Sequence, residues 1–430
     1  MNTSRKMAFC LILGVLFAFL PIAGASADSG RYFIKSTKGF WRNALGVRHS
    51  FDNGFTTDAS DFQLRLAKVF GVSIEPVPVL QILPEQPVAQ PLPSQTVADE
   101  KSQTPTVLPA ETVIPVPATQ GGTHGDKAKG GAVARLLPFD QTPWGIEVIY
   151  DDPSIAFGYG GEGVNVAVLD TGIFTDHLDL SRRIAQCKDF TNLRFPVVDG
   201  KCDDKNGHGT HVAGIIAADA GEDGRGIYGV APQANLFAYK VCGTNGSCYA
   251  DDIAAALRLA VEQGAHVVNM SFGSDQQSSL IADAVSYAYS NGLLLVAAAG
   301  NDGPFPDSID YPAANSSVMA IGAINQSQTV ADWSSRGTNS DSTPWVIEER
   351  DVEFAAPGEY IESTWNNGGY VILSGTSMAS PFVVGLAAKY WQFLANNQAD
   401  ATRSLLHSLA SDLFPLGDDD ASGFGLPQVQ

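Results

Sequence analysis

Basic side chains are scarce in this 430-residue chain: Lys and Arg total 26 against 46 Asp and Glu, for a formal charge of −20. A protein that grips phosphates needs a cationic face, so nucleic-acid binding is excluded. Charged residues of either sign make up only 17%, whereas 44% are apolar, a composition that buries a core and rules out disorder of the whole chain. After residue 20 no apolar run reaches the length that spans a bilayer. Cysteine is rare, five in all, and no CxxC pair occurs, which argues against a thiolate zinc site. The shortage of basic residues is also uneven. Residues 28–140 carry 11 acidic and 11 basic side chains, whereas 141–430 carry 35 and 13. The anionic surface of the long C-terminal part suits either solubility or bound cations.

What is present divides the chain into unequal parts. Arg5 and Lys6 precede an apolar run from Ala8 to Leu20; Pro21 breaks it, and Ala25-Ser26-Ala27 offers the small residues a signal peptidase requires. Residues 1–27 therefore read as a secretory signal, so the mature protein is expected outside the cytoplasm (extracellular or periplasmic) and free of the membrane. Cys10 leaves with that segment. The remaining Cys187, Cys202, Cys242 and Cys248 suit two disulfides in an exported protein. Three pairings are possible, and nearness along the chain favours Cys187–Cys202 and Cys242–Cys248.

Residues 28–75 read as a small α+β module. A strand is expected over 31–35, a hairpin over 47–60 turning at Asp52-Asn53-Gly54, a helix over 61–70 and a strand over 72–75. So short a module has a thin core and needs a partner surface. From Pro76 to Gln120 the texture changes, with ten of the 24 prolines in 45 residues, and a glycine-rich stretch follows. Residues 76–138 therefore read as a linker. Beyond it strands and helices alternate. Strands are expected over 164–169, 235–241, 266–272, 293–298 and 318–324, and helices over 208–218, 251–263, 278–291, 377–394 and 400–410. Strands apolar on both faces and separated by helices indicate a parallel sheet covered on both sides, an α/β architecture with its ligand site at the carboxyl ends of the strands.

Three segments place reactive groups in unusual settings. Val168-Leu169-Asp170-Thr171-Gly172 sets a carboxylate at a strand end. Asn206-Gly207-His208-Gly209-Thr210-His211 sets an imidazole at a helix start, and Ser374-Gly375-Thr376-Ser377-Met378-Ala379-Ser380-Pro381 sets a hydroxyl at the start of the longest helix. A lone strand-end Asp is most often a turn former, and a lone Ser before a helix is most often a cap. Together the three supply a nucleophile, a general base and a group to orient the base.

With DTG, HGTHVAG and GTSMASP in this order, residues 139–430 resemble the catalytic domain of subtilisin-like serine proteases (subtilases). The resemblance implies a triad of Asp170, His208 and Ser377, with Asn301 in Ala298-Ala299-Gly300-Asn301 as the side-chain donor to the oxyanion. It also implies that Ser271-Phe272-Gly273 and Ala298-Ala299-Gly300 wall the primary specificity pocket, that Gly246-Ser247 belong to the edge strand that pairs with substrate, and that Asp310, before Tyr311-Pro312, lies at the pocket floor. A floor carboxylate favours Arg or Lys before the cut, in competition with the broad hydrophobic preference of an open apolar pocket. Asp179 matches a calcium ligand of the family, Asp140 replaces a neutral one, and the Asp219–Gly226 loop adds Glu222 and Asp223, so structural calcium is expected and no catalytic cofactor. His211 reads as a packed helix residue. Phe382 replaces a histidine usual after Ser-Pro, and Cys248 stands where the edge strand normally carries a small residue.

By position, size and element order the 28–75 module resembles the inhibitory propeptide of these proteases, more weakly. The expectation is thus a secreted, monomeric endopeptidase made as a self-processed zymogen, acting on proteins or peptides and inhibited by its own propeptide. An α/β-hydrolase esterase is excluded, because Ala379 stands where Gly-x-Ser-x-Gly requires glycine. A catalytically silent subtilase serving as a scaffold is the alternative, disfavoured because all four catalytic positions are retained.

Overall fold

The structure, a computed structural model, describes residues 30–86, 135–338, 347–413 and 416–430. The expected signal and most of the expected linker lie outside the described residues. Among those described, no helix is long and apolar enough to cross a membrane.

An eight-stranded sheet forms the centre, in the order Phe354–Pro357, Val318–Ile324, Leu294–Ala298, Val267–Met270, Asn165–Asp170, Asn235–Lys240, Ile184–Asp189 and Val198–Asp199. Neighbours run parallel except for the last pair, Ile184–Asp189 with Val198–Asp199. Successive side chains point to opposite faces, so a central strand must be apolar throughout. Val166 and Val168 of one strand enter one core, and Ala167 and Leu169 the other. Helices His208–Ala217 and Thr376–Lys389 contribute to the first core, Ala250–Glu262 and Ser279–Ser290 to the second. The last long helix was expected to continue to Leu394. It ends at Lys389, and beyond it Phe393 and Leu394 are exposed, so the apolar run there reports no burial.

The N-terminal module forms a four-stranded antiparallel sheet, with Tyr32–Lys35 between Gly54–Thr57 and Ser73–Pro76 and with Ser50–Phe51 at the edge. Two helices, Gly39–Leu45 and Asp61–Val69, accompany it. Its private core is small, built on Ile34, Trp41, Leu45, Phe55, Leu64 and two alanines, while Phe33 and Val77 join the second core of the large domain. Arginines also hold the junction. Arg31 Nη1 donates to Asp251 Oδ1 (2.9 Å) and Asp252 Oδ2 (2.8 Å), Arg48 Nη2 donates to Asp252 Oδ1 (3.1 Å), and His49 Nε2 lies 2.9 Å from the same oxygen. Both aspartates stand in the first turn of helix Ala250–Glu262, and all five groups are buried.

One element departs from the expected linker. Val79–Ile82 is a strand, set antiparallel between Ser247–Tyr249 and Phe272–Gly273 of the large domain. Its hydrogen bonds come from distant partners, so neither its composition nor its periodicity marks it.

Candidate active site

The parallel sheet carries the carboxyl ends of its strands to one edge, and Asp170 stands there, fully buried. His208 opens its helix beside it. Nδ1 of His208 lies 2.9 Å from Asp170 Oδ1 and 3.0 Å from Oδ2. The approach depends on Gly209. A Cβ there would stand 2.2 Å from the Gly172 carbonyl oxygen and 3.0 Å from Asp170 Oδ1. Burial pulls the His208 pKa down, but the adjacent Asp170 carboxylate outweighs it and the net shift is upward. His211 is driven the other way, to about 3, by burial and by the charge of His208. Neutral, it donates from Nε2 towards the carbonyls of Ile361 and Val371 (3.1 Å each), as a packed helix residue would.

Asp204 is a supporting residue that sequence reasoning missed. Its carboxylate accepts from Thr171 Oγ1 (2.9 Å), Thr210 Oγ1 (2.6 Å) and Gly207 N (2.8 Å), tying the Asp170 turn to the His208 helix. In the sequence it is one charge in a polar run, Asp203-Asp204-Lys205, and nothing distinguishes it.

Ser377 is the second residue of helix Thr376–Lys389, where the positive end of the helix dipole favours developing negative charge. Its Oγ donates to the Ser271 carbonyl (3.3 Å), while His208 Nε2 has no hydrogen-bond partner among the described residues. The structure thus bonds His208 to Asp170 but places no hydrogen bond between Ser377 and His208. Asn301 is held by its carbonyl oxygen, which accepts from Thr376 N (3.0 Å) and Oγ1 (2.9 Å). That fixes the amide nitrogen towards the cleft, where it donates to the Pro84 carbonyl (2.9 Å).

Gly246 and Ser247 border strand Val79–Ile82 on one side, Phe272 and Gly273 on the other. Gly246 has φ +80°, and a Cβ on it would stand 2.6 Å from Ile82 Cγ1, so glycine is required on both counts. Ser271–Gly273 and Ala298–Gly300 converge on Asp310, whose N–H donates to the Ala299 carbonyl (2.9 Å). Cβ atoms built on Gly273 and Gly300 would lie 2.5 and 3.2 Å from Asp310 Oδ2, so the carboxylate sits between the two segments. Oxygens of Asp275, Asp302 and Asp310 lie within 4.8 Å of one another. Burial, reinforced by the charges of Asp302 and Asp275, pushes the Asp310 carboxyl up to about 7.

Both disulfides form in the pairing favoured by nearness, Cys187–Cys202 and Cys242–Cys248. The second closes a loop of six residues at the edge strand, and Cys248 pairs in register with Leu80. At the expected calcium residues, Asp179 is buried and accepts from Ile227 N (3.0 Å) and the Tyr370 hydroxyl (2.8 Å). Asp140 accepts from Thr142 N (3.1 Å), two residues on in its own turn. Its neighbour Gln141 reaches the loop, where the Gly224 and Gly226 carbonyls converge on its side-chain amide at 2.6 and 3.0 Å. Converging carbonyls beside a buried carboxylate make an oxygen set that fits a hard cation.

Comparison with known proteins agrees with this geometry. The profile of the Subtilase family matches residues 161–425. Subtilisin of Bacillus sp. (strain TA39) is 47% identical over 337 residues, covering 74% of this chain and 79% of that protein. Subtilisin DY of Bacillus licheniformis is 37% identical over 290 residues, covering 67% and 97%. Among solved structures, sphericase superposes with a TM-score of 0.65 at 48% identity, covering 68% of this chain and 99% of its own. The chain belongs to the subtilase family of serine endopeptidases.

Proposed function

We propose that this chain is a secreted endopeptidase, made as a zymogen, that cleaves protein and peptide substrates through Asp170, His208 and Ser377. The observation that carries the reading is the buried Asp170–His208 pair, together with an Asn301 amide that holds Thr376, next to Ser377, and donates to a peptide carbonyl. Ser377 Oγ attacks the substrate carbonyl carbon as its proton passes to His208 Nε2. The carbonyl electrons move onto oxygen, which accepts from Asn301 Nδ2. Collapse expels the amine, which takes the proton from His208, and water repeats the sequence on the acyl-enzyme. Asp170 holds the Nδ1–H tautomer and stabilises the imidazolium. Because Asp170 raises the His208 pKa, activity is lost as pH falls through that elevated value. Hydrolysis of casein by the purified protein tests the reading and separates it from a silent scaffold. No hydrolysis after removal of the N-terminal module would overturn it.

Residues 28–75 act as the inhibitory propeptide, a role supported by their docking through Arg31 and Arg48 and by the strand that continues from them into the cleft.

Asp310 gives the primary pocket a preference for Arg or Lys. In matched peptides that differ only in Arg or Phe before the cut, Asp310→Asn should lower kcat/KM for the Arg peptide about tenfold, roughly 1.4 kcal/mol for a half-shielded pair. The carboxyl titrates at about 7, so the Arg/Phe ratio should rise with pH through that region as the group ionises. Equal losses on both peptides would remove Asp310 from the pocket.

Asp179 and the carbonyls of the Asp219–Gly226 loop hold calcium, which stabilises the fold and takes no part in the chemistry. At a hundredfold excess over its dissociation constant, a folded-state ligand contributes about 2.7 kcal/mol. Chelation should therefore lower the Tm by roughly 5–10 °C. An unchanged melting curve would rule the site out.

A further inference from the structure

Segment Val79–Gln86 crosses the catalytic centre in a way that a substrate does not. Gln81 lies opposite both Ser247 and Gly273, Ile82 lies opposite Phe272, and Ile82 N donates to the Gly246 carbonyl (2.9 Å). Carried one residue further, this antiparallel register sets Leu83 opposite Ser271, at the wall of the primary pocket, and Leu83 is buried. For hydrolysis, the residue at the pocket must be the one whose carbonyl meets the oxyanion donor. Here it is not. Asn301 Nδ2 reaches the carbonyl of the next residue, Pro84, and Gln86 N then donates to the Ser374 carbonyl (2.9 Å). One residue too many lies between the strand and the donor.

The extra residue is a proline, and it obstructs both bonds that could be cut. In Leu83–Pro84 the leaving nitrogen carries a ring carbon where a substrate has hydrogen, and the donor bonds to the Pro84 carbonyl rather than to that of Leu83. In Pro84–Glu85 the carbonyl is placed, but Pro84 has no N–H to anchor on the Ser271 carbonyl. That carbonyl instead accepts from Ser377 Oγ, and His208 Nε2 has no hydrogen-bond partner among the described residues. Leu83 also offers no cation to Asp310.

We propose that Val79–Gln86 is an uncleavable strap, an intramolecular inhibitor in which Leu83-Pro84 holds the nucleophile out of reach of its base, so that the maturation cut falls outside this segment. The proposal rests on the propeptide reading above. The test uses the full-length chain, purified as wild type, as Pro84→Ala and as Ser377→Ala, with products identified by mass spectrometry and casein hydrolysis followed in parallel. Pro84 is exposed, so the substitution does not touch the core. Wild type should give no terminus between Leu83 and Gln86. Pro84→Ala should be cut there at least about 10²-fold faster, since even a roughly 1 Å misplacement costs that much, and Ser377→Ala not at all. A wild-type fragment ending at Leu83 or Pro84, or a Pro84→Ala chain as resistant as wild type, would overturn the strap. Casein hydrolysis distinguishes the failures: an active enzyme that cuts its own strap refutes only this proposal, whereas inactivity that persists after the N-terminal module and strap are removed refutes the peptidase reading itself.

Discussion

Ser377→Ala is expected to lower turnover of a peptide substrate by about 10⁶-fold, the size seen when the nucleophile of a subtilisin is removed. Residual hydrolysis would come from substrate binding and the Asn301 donor, which the substitution leaves in place. Stability should change little, because Oγ makes only one long bond, to the Ser271 carbonyl at 3.3 Å. Maturation should stop as well. The purified variant should keep the mass of the chain from its first exported residue onwards, while wild type prepared in parallel shortens. A variant that reaches the mature mass in a protease-free system would show that another enzyme makes the cut.

Asn301→Ala should lower kcat by about 10²–10³-fold with little change in KM, as at the corresponding asparagine of subtilisin. The donor acts on the oxyanion more than on the ground-state carbonyl, so the loss belongs to the transition state. The variant also frees Thr376, whose N–H and hydroxyl both hold the Asn301 carbonyl oxygen, so a modest loss of stability accompanies it. Self-processing should slow without stopping. Equal losses in 1/KM and kcat would mean that Asn301 binds substrate uniformly, and the oxyanion role would fall.

The legible parts of the molecule were those whose local pattern and tertiary fate agree. Strand Asn165–Asp170 is apolar because both its faces are covered, and its carboxyl end carries the carboxylate that the DTG motif marks. Helix His208–Ala217 begins where the glycines around His208 permit a close approach. The illegible parts owe their form to distant partners. Helix Gly39–Leu45 starts at a glycine with no capping side chain and is held by its buried Trp41 and Leu45. Strand Val79–Ile82 shows one buried residue, Leu80, among exposed or half-buried neighbours, and exists because two strands of another domain flank it. Asp204 could not be found from spacing, since the donors to its carboxylate come from two separate motifs.

The arginine cluster at the module junction bears on how such an enzyme coexists with its relatives. Asp251 and Asp252 are wholly buried in the docked state, and each depends on cations supplied by the other domain. Buried ion pairs add little net affinity over a well-packed apolar contact, but losing one partner costs about 3–5 kcal/mol. A foreign propeptide lacking both arginines would leave the two buried carboxylates without a guanidinium partner and bind several hundredfold more weakly, whatever its shape. On the propeptide reading proposed above, the junction works as a credential rather than as glue: among several proteases sharing one exterior, it would let each be silenced by its own leader and left alone by the others.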